Sequence, residues 1–208
     1  MLKQIWLTVF FVVLVWSGVD PHDYFTWFLE VSPAVIGLIV LAVTRQTFPL
    51  TGLTYGLILI HCIILMVGGH YTYAEVPFFD TFGGLLDPGR NNYDKLGHLA
   101  QGFVPAIIAR EILIRKAIVN GNGWRNVIIV SICLAFSALY ELIEWCVALL
   151  VGISAESFLG TQGYVWDTQS DMLMALLGAV AALVSLGGIH DRQLEKLRPE
   201  SGNRAPGG

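Results

Sequence analysis

Residues 124–151 read WRNVIIVSICLAFSALYELIEWCVALLV: an apolar run long enough to cross a bilayer as a helix, yet interrupted by Glu141 and Glu144 three positions apart. A 3.6-residue repeat puts both carboxylates on one face. At about 1.5 Å of rise per residue from Trp124, they lie roughly 25 to 30 Å along the helix, in its second half. This stretch sets the fold class, because only a membrane-spanning helix explains its length and hydropathy. It also marks where chemistry is to be sought, since ionisable groups at membrane depth are costly and are usually retained for function.

The rest of the chain repeats the pattern. Apolar stretches at about 5–19, 24–44, 49–67, 96–119, 124–151 and 171–189 predict an all-α membrane protein, a six-transmembrane-helix bundle in a single polytopic domain over residues 1–190. Hydrophobic residues make up 55% of the 208, the mean hydropathy is +0.64, and only 13% are charged, against about 25% in a soluble domain. The first stretch follows Lys3 like a secretory signal. No small-residue cleavage pattern follows Trp16 before Asp20-Pro21, so it is read as an uncleaved span. Residues 191–208 are expected to form a partly disordered cytoplasmic tail, from the Pro, Gly and polar composition of 199–208. Cys62, Cys133 and Cys146 lie in apolar runs with no disulfide or zinc spacing and are read as small core residues.

Lys and Arg placement predicts orientation. With both termini cytoplasmic, ten of the twelve basic residues face the cytoplasm, and only Arg90 and Lys95 fall outside. Gly68–Lys95, rich in Gly, Pro, Asn and aromatics, is expected to fold over the outer surface, and Gly152–Ser170 to form a second external loop. The net charge of −4 is too small to imply nucleic acid, and the expected partner is the lipid bilayer. Nothing in the sequence specifies an oligomeric state.

Three helices then bring three polar pairs to one depth. Asp94 and His98 share a face where the fourth span begins, Glu141 and Glu144 share a face on the fifth, and Asp167 and Asp171 repeat the four-residue spacing at the start of the sixth, with Glu75 nearby in the first external loop. Clustered carboxylates repel, so they must take up protons, pair with a base, or bind a cation. Oxygen donors with one imidazole suit Mg, Mn, Ca or Fe better than thiolate-seeking zinc. The expected metal ligands are Asp94, His98, Glu141, Glu144, Asp167 and Asp171, with Glu141, Glu144 and His98 as catalytic acid–base groups. Arg90 and Lys95 would meet an anionic lipid head group, and Gln101 and Gln169 would donate to the bound molecule.

Simpler roles compete with this. Asp94 and Asp171 each suit a helix N-cap, His98 suits a hydrogen bond to a loop carbonyl, and the acids can pair with Arg90 and Lys95 in a structural network. His61 lies within the third span and fits a core histidine as well as a site residue. Ser137, one turn before Glu141, lacks the surroundings of a nucleophile.

The motifs His70-Tyr-Thr-Tyr-Ala-Glu-Val-Pro77, Asn91-Asn-Tyr-Asp-Lys-Leu-Gly-His-Leu-Ala-Gln-Gly102, Tyr140-Glu-Leu-Ile-Glu-Trp145 and Leu159-Gly-Thr-Gln-Gly-Tyr-Val-Trp-Asp-Thr-Gln-Ser-Asp-Met172 closely resemble the YjdF family of bacterial inner-membrane proteins, which has no established activity. More distantly the chain is similar to VanZ-like proteins: Asp94, Lys95 and His98 match one element, Glu141 or Glu144 a second, and Asp167 or Asp171 with Gly178 a third. The Asn that usually follows the last Asp of that pattern is replaced near Met174 and Ala175, so a role in glycopeptide resistance is not carried over. The resemblance implies a shared polar site. Three functions fit it: a cation-assisted site for an envelope lipid or lipid-linked molecule, a proton or cation transporter, and a non-catalytic membrane scaffold.

Overall fold

The computed structural model describes residues 2–77, 79, 90–151 and 162–197. Six helices run through the described residues: α1 Leu2–Ser17, α2 Tyr24–Thr44, α3 Gly52–Tyr71, α4 Tyr93–Arg115, α5 Asn122–Val151 and α6 Asp167–Leu197. Four of them, α2, α3, α5 and α6, are long and apolar enough to cross a membrane. Helix α1 is equally apolar but shorter, with 16 residues. Helix α4 has the length of a span, but it carries Asp94, Lys95, His98, Arg110 and Glu111. Its position explains that composition: α4 packs against α3, α5 and α6, and Asp94, His98, Arg110 and Glu111 are all buried.

The outer helices show the opposite arrangement. On α5, Ile129, Cys133, Ser137, Glu141 and Glu144 form one buried stripe, while Val127, Phe136, Leu142 and Leu150 are exposed. Apolar side chains turned outward with polar ones turned inward suit a hydrocarbon surround and would aggregate in water. Cys62 and Cys133 are buried as core residues, whereas Cys146 is exposed on the lipid-type face.

Local chemistry fixes the helix ends. The amide of Thr26 donates to Asp23 at 2.7 Å, capping α2 and holding this loop carboxyl below its usual range. Pro33 breaks the ladder inside α2, and the Leu29 carbonyl it releases accepts from Ser32 Oγ at 2.9 Å. Helix α3 runs on to Tyr71, and α4 begins at Tyr93 rather than near Leu96, so Asp94 sits within the first turn and is not the cap. Likewise α6 starts at Asp167, leaving Asp171 one turn inside the helix. Asp167–Ser170 is therefore helical and not part of a loop. An acid at that first position opposes the positive end of the helix dipole. Helix α6 also continues to Leu197, so residues 191–197 of the expected tail are helical and 198–208 lie outside the described residues, as do 80–89 and 152–161 of the two expected loops.

The closest packing is between α4 and α6. A methyl group at Gly102 would stand 1.8 Å from the carbonyl oxygen of Ala175, and one at Gly178 would stand 2.1 Å from that of Leu99. Backbone meets backbone here, which only glycine permits. We predict that Gly102→Ala and Gly178→Ala will each lower the thermal stability of the purified protein by about 1–3 kcal/mol, in the range of overpacked cores. Gly187→Ala, whose added methyl meets nothing within 4 Å, will be close to neutral. Equal melting temperatures for all three would show that the contact is not limiting.

Candidate functional site: a carboxylate and histidine cluster at one end of the bundle

Helix α4 brings Asp94 and His98 to the same end of the bundle as the start of α6 and the second half of α5. His98 Nε2 lies 3.4 Å from Asp94 Oδ1, 3.8 Å from Glu141 Oε1 and 4.0 Å from Asp171 Oδ1, and its Nδ1 is 2.9 Å from Gln101 Oε1. One imidazole therefore stands among acids from three helices. Donor atoms of Asp94, His98 and Asp171 all fall within 4.8 Å of one another, and all three residues are buried.

A basic clasp closes one side. Lys95 Nζ lies 2.7 Å from Asp167 Oδ1 and 2.5 Å from Asp171 Oδ1. Arg90 Nη2 also binds Asp167 and stands 3.6 Å from Asp94 Oδ2. The Tyr164 ring covers both cations, with centroid distances of 5.1 Å to Arg90 and 5.8 Å to Lys95. Beside the clasp, Gln162 and Asn91 exchange two side-chain to backbone hydrogen bonds of 2.9 Å, which join the segments leading into α6 and α4.

The acids outnumber these bases. Among the described residues, Glu141 Oε1 and Asp94 Oδ2 are buried without a hydrogen-bond partner, as are Arg90 Nε and Nη1. Glu144, only 8% exposed, makes no hydrogen bond or ion pair with any described residue. Buried polar groups are normally satisfied, so a group of orphans at one place calls for an explanation.

Next to the cluster is a cavity of about 270 Å³ bounded by α2, α3, α4 and α5. Glu30, Asp94, His98, Gln101 and Glu144 supply its polar wall, joined by Tyr73, Tyr140 and His61, while Pro33, Leu65, Phe136, Leu139 and Ile143 supply the apolar one. Tyr140 donates to Glu30 Oε2 at 3.1 Å. Tyr73 reaches the cavity from a tight turn in which both Thr72 and Tyr73 have positive φ, of 59° and 52°. Its ring occupies the space over Gly68 and Gly97, where an added methyl would come within 2.2 and 2.8 Å of it.

The structure thus gathers Asp94, His98, Glu141, Glu144, Asp167 and Asp171, with Arg90, Lys95 and Gln101 in contact with them. Gln169 is exposed and away from the cavity lining. Glu75 pairs instead with His22 at 3.2 Å on the surface. Glu30, Tyr73 and Tyr140 are not among the site residues expected from the sequence, where Tyr73 reads as an interfacial aromatic. The signal for Glu30 was present, as the only charged residue in the apolar run of α2. Tyr73 and Tyr140 carry no such signal, because interfacial tyrosines are common.

A second polar centre lies at the opposite end of α4. Glu111, fully buried, accepts from the Thr51 amide at 2.9 Å, Thr51 Oγ1 at 2.9 Å, Thr54 Oγ1 at 2.7 Å and Arg115 Nη1 at 2.9 Å, and meets His190 Nε2 at 3.2 Å. Arg110 spans from His190 Nδ1 at 3.1 Å to Asp191 Oδ1 at 2.8 Å. These groups are mutually satisfied. They fasten α3, α4 and α6 together.

A bundle of apolar helices with its ionisable groups turned inward defines a multi-pass membrane protein with an embedded polar centre. The chain belongs to the family of predicted membrane proteins DUF2238, which matches residues 2–192. It is 50% identical, over 185 residues covering 89% of this chain and 88% of the relative, to the inner membrane protein YjdF of Escherichia coli strain K12. The resemblance drawn from the four motifs is borne out, and the protein is an inner-membrane protein. No solved structure matches it.

Removing one partner of a buried ion pair strands the other charge. Lys95→Met is therefore expected to destabilise the protein by about 3–5 kcal/mol in detergent melts. Adding Asp167→Asn should restore part of that loss. A double variant no better than the single one would mean that Lys95 and Asp167 are not coupled.

Proposed function

We propose that the protein spans the inner membrane six times with both termini cytoplasmic, and that the α4/α5/α6 cluster faces the outer side as a cation-assisted site for an envelope lipid or lipid-linked molecule. The observation that carries this reading is the approach of Asp94, His98 and Asp171 donor atoms to within 4.8 Å, next to Glu141 Oε1, which accepts no hydrogen bond from a described residue. Two carboxylates and an imidazole suit Mg, Mn, Ca or Fe. Lys95 already neutralises Asp171 Oδ1 and Asp167, which leaves the remaining acids in excess of the nearby bases. A bound cation would polarise a phosphate group or a water at the cluster.

The chain's own residues supply the rest. Glu141 and Glu144 serve as acid–base groups, and Asp167 orients Lys95 and Arg90. The Nε and Nη1 of Arg90, which donate to no described residue, offer hydrogen bonds to an anionic head group. Support for the orientation comes from ten of twelve basic residues falling on the cytoplasmic side.

A second reading rests on the clasp of Arg90 and Lys95 with Asp167 and Asp171, in which the cluster is a structural lock. Metal content separates the two. Protein purified without a metal-affinity tag should carry a near-stoichiometric divalent ion by mass spectrometry, and the Glu141→Gln, Asp171→Asn double variant should lose it while staying folded. Absence of metal from both, with a lower melting temperature in the variant, would favour the lock.

A further inference from the structure

The cavity beside the cluster differs from the cluster in a way that bears on the ligand. Arg90 and Lys95 do not line it. Three carboxylates, Glu30, Asp94 and Glu144, face it with the imidazoles of His61 and His98 as the basic side chains on its wall among the described residues, and Glu144 is nine-tenths buried with no hydrogen bond or ion pair to a described residue. An acidic chamber of this kind repels a phosphate and attracts a cationic, hydrogen-bond-donating group.

Its size narrows the choice. About 270 Å³ would hold roughly nine waters, at about 30 Å³ each, far more than a single dehydrated ion needs. It is also slightly below the roughly 300–1,000 Å³ of pockets that enclose a whole drug-sized ligand. The occupant therefore places only its head in the chamber.

The mouth indicates where the remainder lies. Helix α2 packs on α3, and α5 packs on α4 and α6, so the chamber is left between α2 and α5, tied across by the Tyr140 to Glu30 bond. On the α5 side Phe136, Leu139 and Ile143 are 57%, 51% and 45% exposed, so the lining continues into the lipid-facing surface. Water-soluble ligands have no use for such a rim. An acyl chain does.

We infer that this chamber is a lateral binding site for the amine-bearing head of a bilayer amphiphile, a zwitterionic aminophospholipid whose ammonium group is held by Glu144 and Glu30 while its chains lie against α5. The inference rests on the reading above for the envelope lipid and names its class. The phosphate of the same head would lie toward the guanidinium of Arg90, whose Nη2 stands 3.6 Å from Asp94 Oδ2 at the boundary between chamber and clasp.

The test uses the full-length protein, delipidated in detergent and titrated with phosphatidylethanolamine or phosphatidylglycerol of matched chains, with binding and metal content both read by native mass spectrometry. Wild type should bind phosphatidylethanolamine at least about tenfold more tightly than phosphatidylglycerol, and Glu144→Gln and Glu30→Gln should each lose that preference, Glu30→Gln while keeping its metal. Equal binding of the two lipids by the wild type would overturn amine recognition and leave the cation-assisted reading standing. A preference retained in both Glu144→Gln and Glu30→Gln would also overturn it. Amine preference in protein that carries no metal would support the chamber and remove the cation from the proposed function. Because the two lipids are compared on unaltered protein, the answer does not depend on how well either variant folds.

Discussion

The backbone contact between α4 and α6 is the constraint on which both polar centres depend. Helices in hydrocarbon gain little from hiding apolar surface and associate through close packing. At Gly102 and Gly178 each helix lies against a carbonyl of the other. From Gly102, Asp94 lies eight residues back and Arg110 eight residues on, roughly 12 Å in each direction. The same contact therefore sets Asp94, Lys95 and His98 against Asp167 and Asp171 at one end, and Arg110 and Glu111 against His190 and Asp191 at the other. A side chain at either glycine would push the helices apart and separate both sets.

Those two sets obey different rules. Around Glu111, five donor groups converge on one carboxylate, and the acid, though fully buried, has what a structural charge needs. Around His98, orphan oxygens remain on Asp94 and Glu141, orphan nitrogens on Arg90, and Glu144 has no partner among the described residues. A network built only to hold helices together would gain stability by removing Glu144 or Glu141, because an unsatisfied buried group is worse than an apolar one. Keeping both carboxylates at that cost is what supports the proposal that this end of the bundle serves a ligand.

Much of this was legible in the sequence. Runs such as 24–44 and 124–151 have the length and hydropathy of spans, and the i, i+3 and i, i+4 pairs on α4, α5 and α6 mark shared faces without knowledge of the packing. Helix starts were less legible. Asp94 and Asp171 both look like caps, and only the folded chain places them inside helices that begin earlier. Partners across the bundle were harder still. Thr51 and Thr54 are unremarkable at the start of an apolar run, and their link to Glu111 depends on how α3 leans on α4, which no local pattern encodes. Gln169 was drawn toward the cluster by its neighbours in sequence, but between Asp167 and Asp171 it falls on the outward side of α6.

Glu30 shows why a single charge in an apolar run merits weight. It is 4% exposed, and it lies on α2, the helix that meets the cluster only across the chamber. Its hydrogen bond from Tyr140 is the one between α2 and α5 among the described residues. A structural role alone would be met by a neutral glutamine, which can accept the same bond without the cost of a buried carboxylate. What glutamine cannot supply is attraction for a cation. The position of Glu30 opposite Glu144, on the helix that forms the other wall of the mouth, fits a residue whose charge faces the contents of the chamber and not the packing around it.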